Sequence, residues 1–507
     1  MTVERRGRRT AKADQAISQL PWSQPRLAIE PTRILSDDQI EMIHLQSLRV
    51  LEEIGMDMLY PEAREIFARA GASITGERVR IGREIIEQAL KTPPSEFTFY
   101  ARNPAHNLHI GGNAIVFAPV GGPPNCSDLD KGRRPGTLED SGNFVKLSQF
   151  FNCIHTAGGA SVDALDIPGP LRHLHITRNK MRYSDKVPFV YSTGRDRLFD
   201  SLEIVRLARG ISHEQMLKEP IAYTVINTNS PLKLDNAMAM GIIEMARLNQ
   251  ICVVTPFTLL GAMAPVTLAG ALVEQNAEAL AGLALSQLAN PGAPFVYGGF
   301  TSNVDMKSGA PAFGTPEYMK ACIIGGQLAR RYRLPYRTSS TNAANCVDAQ
   351  AAYETVFSLW GAIMGGGNFI QHAAGWMEGG LVASYEKFAL DADLLQMVEE
   401  YLKPVVIDED SMAFEAMLEV GPGGHFFGAK HTLERYATAF YQPMISDWRN
   451  FGQWQAAGSP QAAQKANALW KQALAEYREP HLDPAKAEAI EAFVARRIEE
   501  GGEKNDF

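Results

Sequence analysis

Eight short runs of apolar and β-branched residues recur through the middle of this 507-residue chain, and their spacing limits what it can fold into. They are residues 115–119, 154–157, 187–191, 221–226, 251–254, 294–297, 335–338 and 369–372. Their centres lie about 30 to 45 residues apart, the spacing of successive strand–helix units. Eight such units close a (β/α)8 TIM barrel of about 250 residues, and an open doubly wound sheet is the rival arrangement. Between the runs lie amphipathic stretches with clear stops. Thr267 to Ala289 carries leucines at 268, 272, 280, 283 and 288 and ends before Pro291-Gly292. Tyr318 to Arg331 and Asp348 to Met364 have the same character, as expected of helices packed outside a barrel.

This pattern divides the chain. Residues 1–30 begin with Arg5, Arg6, Arg8, Arg9 and Lys12, with no apolar run behind them, and are expected to be a disordered basic tail rather than a signal peptide. Residues 31–110 are expected to be a mostly helical cap, opened by Ser36-Asp37-Asp38 ahead of an apolar periodicity that stops at Gly55. The barrel is assigned to 111–400. Residues 401–507 form a C-terminal extension with two charged helices beyond Gly458 and a glycine-rich turn, Gly421 to Gly428, that reads as a loop or an anion cradle.

Composition removes several function classes. A net charge of −8, with no large basic stripe beyond the N-terminus, argues against nucleic acid as a main partner. No window of 18 uncharged apolar residues is present to span a membrane. Five cysteines at 126, 153, 252, 322 and 346, without a C-x-x-C, suggest neither a disulfide framework nor a zinc cluster, and fit a reducing cytoplasm. No phosphate-binding G-x-x-x-x-G-K-[ST] and no nucleophile elbow G-x-S-x-G occur. The close histidine pairs 106/109, 173/175 and 425/431 lack the helical i, i+4 spacing of a zinc face, so no metal is expected.

What remains is aromatic and polar. Most runs end in small or polar residues, as at Gly121-Gly122, Gly158-Gly159 and Ser339-Ser340-Thr341. The C-terminal strand ends are where a barrel assembles its site. Tyr191, Phe257, Tyr297, Phe300, His372 and Trp376 fall at or just past those ends. Gathered around one cavity, such rings attract a quaternary ammonium by about 0.5–2 kcal/mol per good contact, although each is also an ordinary core residue. Glu378 is the acid of the final loop, placed to complement a cation or to face solvent. Side chains alternate along a strand, so Gln371 and His372 are expected on opposite sides, with His372 toward the cavity.

Three long motifs carry a resemblance. The run Leu260 to Leu272, the segment Asp348 to Glu354 and the stretch Gly423 to Gly428 with His431-Thr432 look like the trimethylamine:corrinoid methyltransferase family, over residues 30 to 460 or so. The resemblance implies a (β/α)8 barrel. Archaeal trimethylamine enzymes use pyrrolysine, whereas the window Thr338 to Cys346 holds only standard residues, so the resemblance points to the non-pyrrolysine branch, with its glycine betaine methyltransferases. It implies methyl transfer from a quaternary amine to the Co(I) of a separate corrinoid protein. Tyr191, Tyr297, Phe300 and Trp376 would cage the cation, with His372, Gln371 or Arg337 on a carboxylate. Four H-x-x-G runs, at His109, His155, His372 and His425, lack the aspartate two residues earlier that corrinoid proteins carry, so no cofactor is expected on this chain. Expected partners are a corrinoid protein, a small quaternary amine and further copies of the chain. A betaine-binding barrel without turnover and a barrel lyase or hydrolase are the alternatives. The last should show a bell-shaped pH dependence.

Overall fold

The computed structural model describes residues 16–503, except residue 160. Its centre is a curled six-stranded sheet, all parallel. The strands are β1 (Val116–Phe117), β2 (Tyr223–Ile226), β3 (Ile251–Val254), β4 (Phe295–Gly298), β5 (Tyr336–Ser339) and β6 (Phe369–Gln371). Their spatial order is β1-β6-β5-β4-β3-β2. Every residue of β3, β4, β5 and β6 is buried, because a parallel sheet is covered on both faces. The two remaining runs contribute bridges rather than strands. Phe189 bridges Tyr223 at the β2 edge, Thr156 bridges Val187, and the His155 N–H donates to Phe117 O at 2.9 Å, at the β1 edge.

The inner face of the sheet carries Val116, Tyr223, Ile251, Val253, Val296 and Phe369. These pack against Phe99, Leu108 and Ile110 of an antiparallel hairpin, Glu96–Phe99 with Leu108–Gly111. Ile251, Val116, Tyr223 and Phe369 are first residues of their strands, so the hairpin plugs the N-terminal end of the curled sheet. The outer face is covered by helices. Those used below are α1 (Asp37–Arg49), α2 (Leu268–Ala289), α3 (Pro316–Tyr332), α4 (Ala349–Met364), α5 (Tyr385–Tyr401) and α6 (Ala462–Glu476). Their starts follow from caps. Ser36 and Gln39 form a capping box on α1, and Thr315, Asp348 and Ser384 accept backbone N–H groups at the starts of α3, α4 and α5.

Three features differ from expectation. The basic run Arg5 to Lys12 lies outside the described residues, but residues 16–30 are not a free tail. Leu20 N–H donates to Gln396, Trp22 packs on His106 at 5.0 Å, and Arg26 bridges Ala114. The region 31–110 is mixed rather than mostly helical. Strands Met56–Met58, Ser73–Thr75 and Arg78–Arg80 form a small sheet there with Lys233–Leu234. Beyond the C-terminal ends of β3 and β4 the chain continues as Phe257–Leu260 and Phe300–Val304, which pair with each other, so the sheet's mouth has raised walls. A second wall joins Trp376–Met377 and Val382–Ser384 to the hairpin Asn125–Asp128 with Gly132–Pro135. No helix among the described residues is long and apolar enough to cross a membrane.

Candidate functional site

The raised walls bring a group of aromatic rings together above β5 and β6. Phe300 is at its centre, with ring centroids of Phe257 at 5.1 Å, Phe313 at 5.5 Å, His372 at 5.8 Å, Tyr318 at 6.1 Å and Trp376 at 6.2 Å. His372 and Trp376 lie closest, 4.0 Å apart. The loops that carry the rings are fixed by backbone bonds. Asn342 donates to Trp376 O at 2.6 Å while Trp376 Nε1–H donates to Asn342 O at 3.2 Å, tying the loop after β5 to the loop after β6. Glu354 of α4 accepts the N–H groups of Ala343 and Ala344 at 2.8 and 3.1 Å and holds the first loop from behind. Gly380 has φ +103°, and a Cβ there would stand 2.6 Å from the Trp376 ring, so glycine leaves room for the indole.

Arg337 lies against this group. Its Cζ is 5.3 Å from the Phe300 centroid, and it is 2% exposed. Its Nε and Nη1 have no hydrogen-bond partner, and no carboxylate among the described residues lies within ion-pair distance. Burial lowers the guanidinium to about 10, so it is cationic at neutral pH. An uncompensated buried charge costs several kcal/mol. Nearby, Gln371 Oε1, Ser340 Oγ and Asn342 Oδ1 are also buried without partners among the described residues. Such groups are rare in folded proteins and ask for a partner that is not the protein itself.

The structure brings Phe300, Arg337, His372 and Trp376 together, and leaves three other sequence candidates apart. Tyr297 points away, through the outer face of β4, where its hydroxyl donates to Asn276 of α2 at 2.9 Å and its ring lies 5.7 Å from Tyr332. Val296 takes the inner face, and alternation sends Tyr297 outward. Tyr191 packs with Ala164 and Ile176, on Phe189 and beside the buried Lys180, outside the Phe300 group. Glu378 pairs with Arg133 at 3.0 Å, closing the wall hairpin over the last loop.

Gln371 and His372 do not divide as alternation predicts. His372 has φ +58°, a left-handed turn at the end of β6. Gln371 keeps the inner face, where its Nε2 is 3.7 Å from a Cβ built on Gly121, and His372 turns over the mouth to place Nδ1 3.2 Å from Ser339 Oγ. Both therefore serve the same end of the sheet. Burial, with the Arg337 charge adding, holds His372 well below the usual imidazole range, so it is neutral. Phe313 and Tyr318 carried no sequence signal, since each lies in a stretch with no strand-end pattern.

A model of the trimethylamine methyltransferase (MTTB) family matches residues 2–502. The chain belongs to this family. It is 39% identical to the glycine betaine methyltransferase of Desulfitobacterium hafniense (strain Y51), over 93% of this chain and 98% of that one. It is 28% identical to trimethylamine methyltransferase MttB2 of Methanosarcina mazei, over 91% and 94%. The crystal structure of Methanosarcina barkeri monomethylamine methyltransferase (MtmB) superposes with a TM-score of 0.52 at 12% identity, covering 88% of each chain, a likeness of fold. As an MTTB-family methyltransferase, the chain transfers methyl groups.

The H-x-x-G histidines of this MTTB-family chain hold other partners. His155 Nδ1 accepts the Phe117 N–H at 2.9 Å, His109 pairs with Glu96 at 2.7 Å, His372 lies under Trp376, and His425 is on an exposed stretch. Among the described residues no group of three or more His, Cys, Asp or Glu is placed to hold a metal ion.

Proposed function

We propose that this enzyme moves a methyl group from glycine betaine, or a closely related carboxylate-bearing quaternary amine, to the Co(I) of a separate corrinoid protein. The observation that carries this reading is Arg337, a fully buried guanidinium without an acid, held against the same aromatic group that suits a quaternary ammonium. A compact zwitterion answers both. Its carboxylate meets Arg337 in a charge-assisted pair, and its N-methyl groups lie on Phe300, Trp376 and Phe257. The glycine betaine methyltransferase relative supports the same substrate class.

The reaction asks little proton chemistry of the protein. The N–CH3 bond breaks with its electron pair left on nitrogen, and the acceptor Co(I) supplies the pair for the new bond. The leaving tertiary amine is neutral and needs no acid, in keeping with a His372 that stays unprotonated. Arg337 and the rings fix the N–CH3 axis, and the raised walls exclude water, so rate comes from positioning. On this reading the fold is a closed (β/α)8 barrel, which the bridges at Thr156, Val187 and Phe189 between the edges of β1 and β2 support, and the acceptor approaches over the mouth.

The test is methyl transfer by purified protein to a reduced corrinoid protein, followed by loss of Co(I) absorbance, with glycine betaine, tetramethylammonium and trimethylamine as donors. Glycine betaine is expected to outpace tetramethylammonium, which lacks the carboxylate, and trimethylamine is expected to be inert. Betaine binding without transfer from any donor would sink the catalytic reading.

A further inference from the structure

The inner face of the sheet carries one polar group that the packing around it leaves unused. Tyr223 opens β2 on that face and is fully buried. Its ring packs among Phe369 of β6, Phe189 and Phe99 of the plugging hairpin, with centroids at 4.9, 5.6 and 5.9 Å. β2 and β6 are not neighbours in the sheet, so Tyr223 meets Phe369 across the interior. The ring is an ordinary core residue, and its hydroxyl is not.

Polar groups from other strands surround that hydroxyl. Burial pushes the phenol up to about 12, while Thr156, Gln371 and the Arg337 charge each pull it back, which places the three around the oxygen. It therefore keeps its proton at neutral pH. Thr156 and Gln371 act on the oxygen as donors, so neither takes its hydrogen, and the O–H is left without an acceptor among the described residues. Arg337 Nε and Nη1 are in the same condition. Arg337 stands beside Phe369 in the register of β5 and β6, and Phe369 is the ring packed on Tyr223, so both sets of donors belong to one part of the interior. Between Gln371 and Phe189 the wall is Gly121 and Gly159. A Cβ on the first would lie 3.7 Å from Gln371 Nε2 and on the second 3.6 Å from the Phe189 ring, so the wall beside the donors leaves room.

A guanidinium and a phenol, from opposite sides of the interior and without an acid, suit an anion that brings two acceptor oxygens of its own. On the reading of this site as one for a carboxylate-bearing quaternary amine, we propose that Tyr223 is the second carboxylate ligand. Its O–H and Arg337 hold the two oxygens at the floor, the ammonium stands among Phe300, Trp376 and Phe257, and one N-methyl faces the mouth. Arg337 lies 5.3 Å from the Phe300 ring, so a short zwitterion reaches both ends at once. The reverse seating would set the ammonium against the buried guanidinium, two like charges away from water. A second donor on another strand also stops the carboxylate from pivoting on Arg337, which fixes the direction of the N–CH3 bond.

Tyr223→Phe removes the O–H and keeps the ring. With purified protein and a reduced corrinoid protein, kcat/KM for glycine betaine should fall about 30-fold, the worth of a hydrogen bond to a charged group. The value for tetramethylammonium, which has no carboxylate, should stay within about twofold. Calorimetric titration without the acceptor should divide the two ligands in the same way, and the melting temperature should hold. A tyrosine that only braced Gln371 would lower the melting temperature and weaken both ligands alike, and that result would overturn the proposal, as would unchanged glycine betaine binding. A crystal structure of the unaltered chain with glycine betaine needs no variant, and should place a carboxylate oxygen about 2.6 Å from the Tyr223 oxygen. A carboxylate held by Arg337 alone, or an ammonium at the floor, would overturn the role of Tyr223 and leave the substrate reading standing. A wild type that neither binds nor demethylates glycine betaine would overturn both.

Discussion

Two clusters of buried rings and polar groups flank the same stretch of sheet, and they treat their hydrogen bonds in opposite ways. Behind β4, Tyr297, Asn276, Tyr332, His44 and Ser47 join strand, α2, α3 and α1, and the groups are paired: both tyrosine hydroxyls reach Asn276 Oδ1, and Asn276 Nδ2 donates to Ser47. His44 bonds Tyr332 and Glu87. In front of β5 and β6, Arg337, Gln371, Ser340 and Asn342 keep buried atoms without partners among the described residues. A satisfied network holds elements together, whereas an unsatisfied one is held ready for something else. The difference separates the two where residue type alone does not, since both clusters set a tyrosine and a side-chain amide beside a strand.

Substitutions at the two clusters should therefore separate activity from stability. The largest effect is expected for Arg337→Met. Losing the partner of a substrate carboxylate should lower kcat/KM for glycine betaine about 1,000-fold, about 4 kcal/mol. The melting temperature should hold or rise, because an unpaired buried charge has been replaced by an apolar chain. A melting temperature that falls with activity retained would place Arg337 in the scaffold. Trp376→Leu should lower kcat/KM about 30-fold, the worth of a desolvated cation–π contact near 2 kcal/mol, seen mainly in KM. Asn276→Ala should do the reverse. Leaving the buried Tyr297 hydroxyl without an acceptor, while Tyr332 keeps His44, costs about 1–3 kcal/mol in denaturant unfolding, with kcat/KM within about twofold.

The pH profile sharpens the same contrast. His372 is neutral throughout the working range, so the rate should be flat from about pH 6 to 9 and fall as Arg337 deprotonates near pH 10. The sign for stability is opposite. The folded guanidinium binds its proton less tightly than the unfolded one, so its contribution to stability rises as pH climbs past the folded value. A bell centred near neutrality, lost on mutating His372, would instead favour acid–base chemistry. Least is expected of Glu378→Gln. Its half-exposed partner Arg133 makes the pair worth under about 1 kcal/mol, so a few-fold change in rate is the ceiling.

Much of the scaffold was legible in the sequence because it rests on local rules. Thr267 to Ala289 and Asp348 to Met364 form helices within a residue of their expected bounds, since caps and apolar periodicity fix them. The runs at 115–119, 221–226, 251–254, 294–297, 335–338 and 369–372 contribute the six strands, because short runs of β-branched, aromatic and apolar residues suit a covered parallel sheet. The site was legible in part. Phe300, His372 and Trp376 were picked for their position at strand ends and Arg337 as a carboxylate partner, but Tyr297 met the strand-end criterion and faces the helices. Telling them apart requires the register, and that is set by which neighbour fills the interior, here Val296. The turn at His372 escaped because an isolated left-handed residue other than glycine or asparagine has no local signal.

The hairpin that plugs the N-terminal end of the sheet has a kinetic consequence. With Phe99, Leu108 and Ile110 filling that end, the inner space among the described residues faces the mouth. On the proposed reaction, the donor and the methyl acceptor must use one doorway in turn. Binding is then compulsory in order, donor first and acceptor second, and the demethylated amine can leave only after the acceptor has withdrawn. Excess acceptor should accordingly act as a competitive inhibitor against the amine, trapping an empty enzyme behind a closed door.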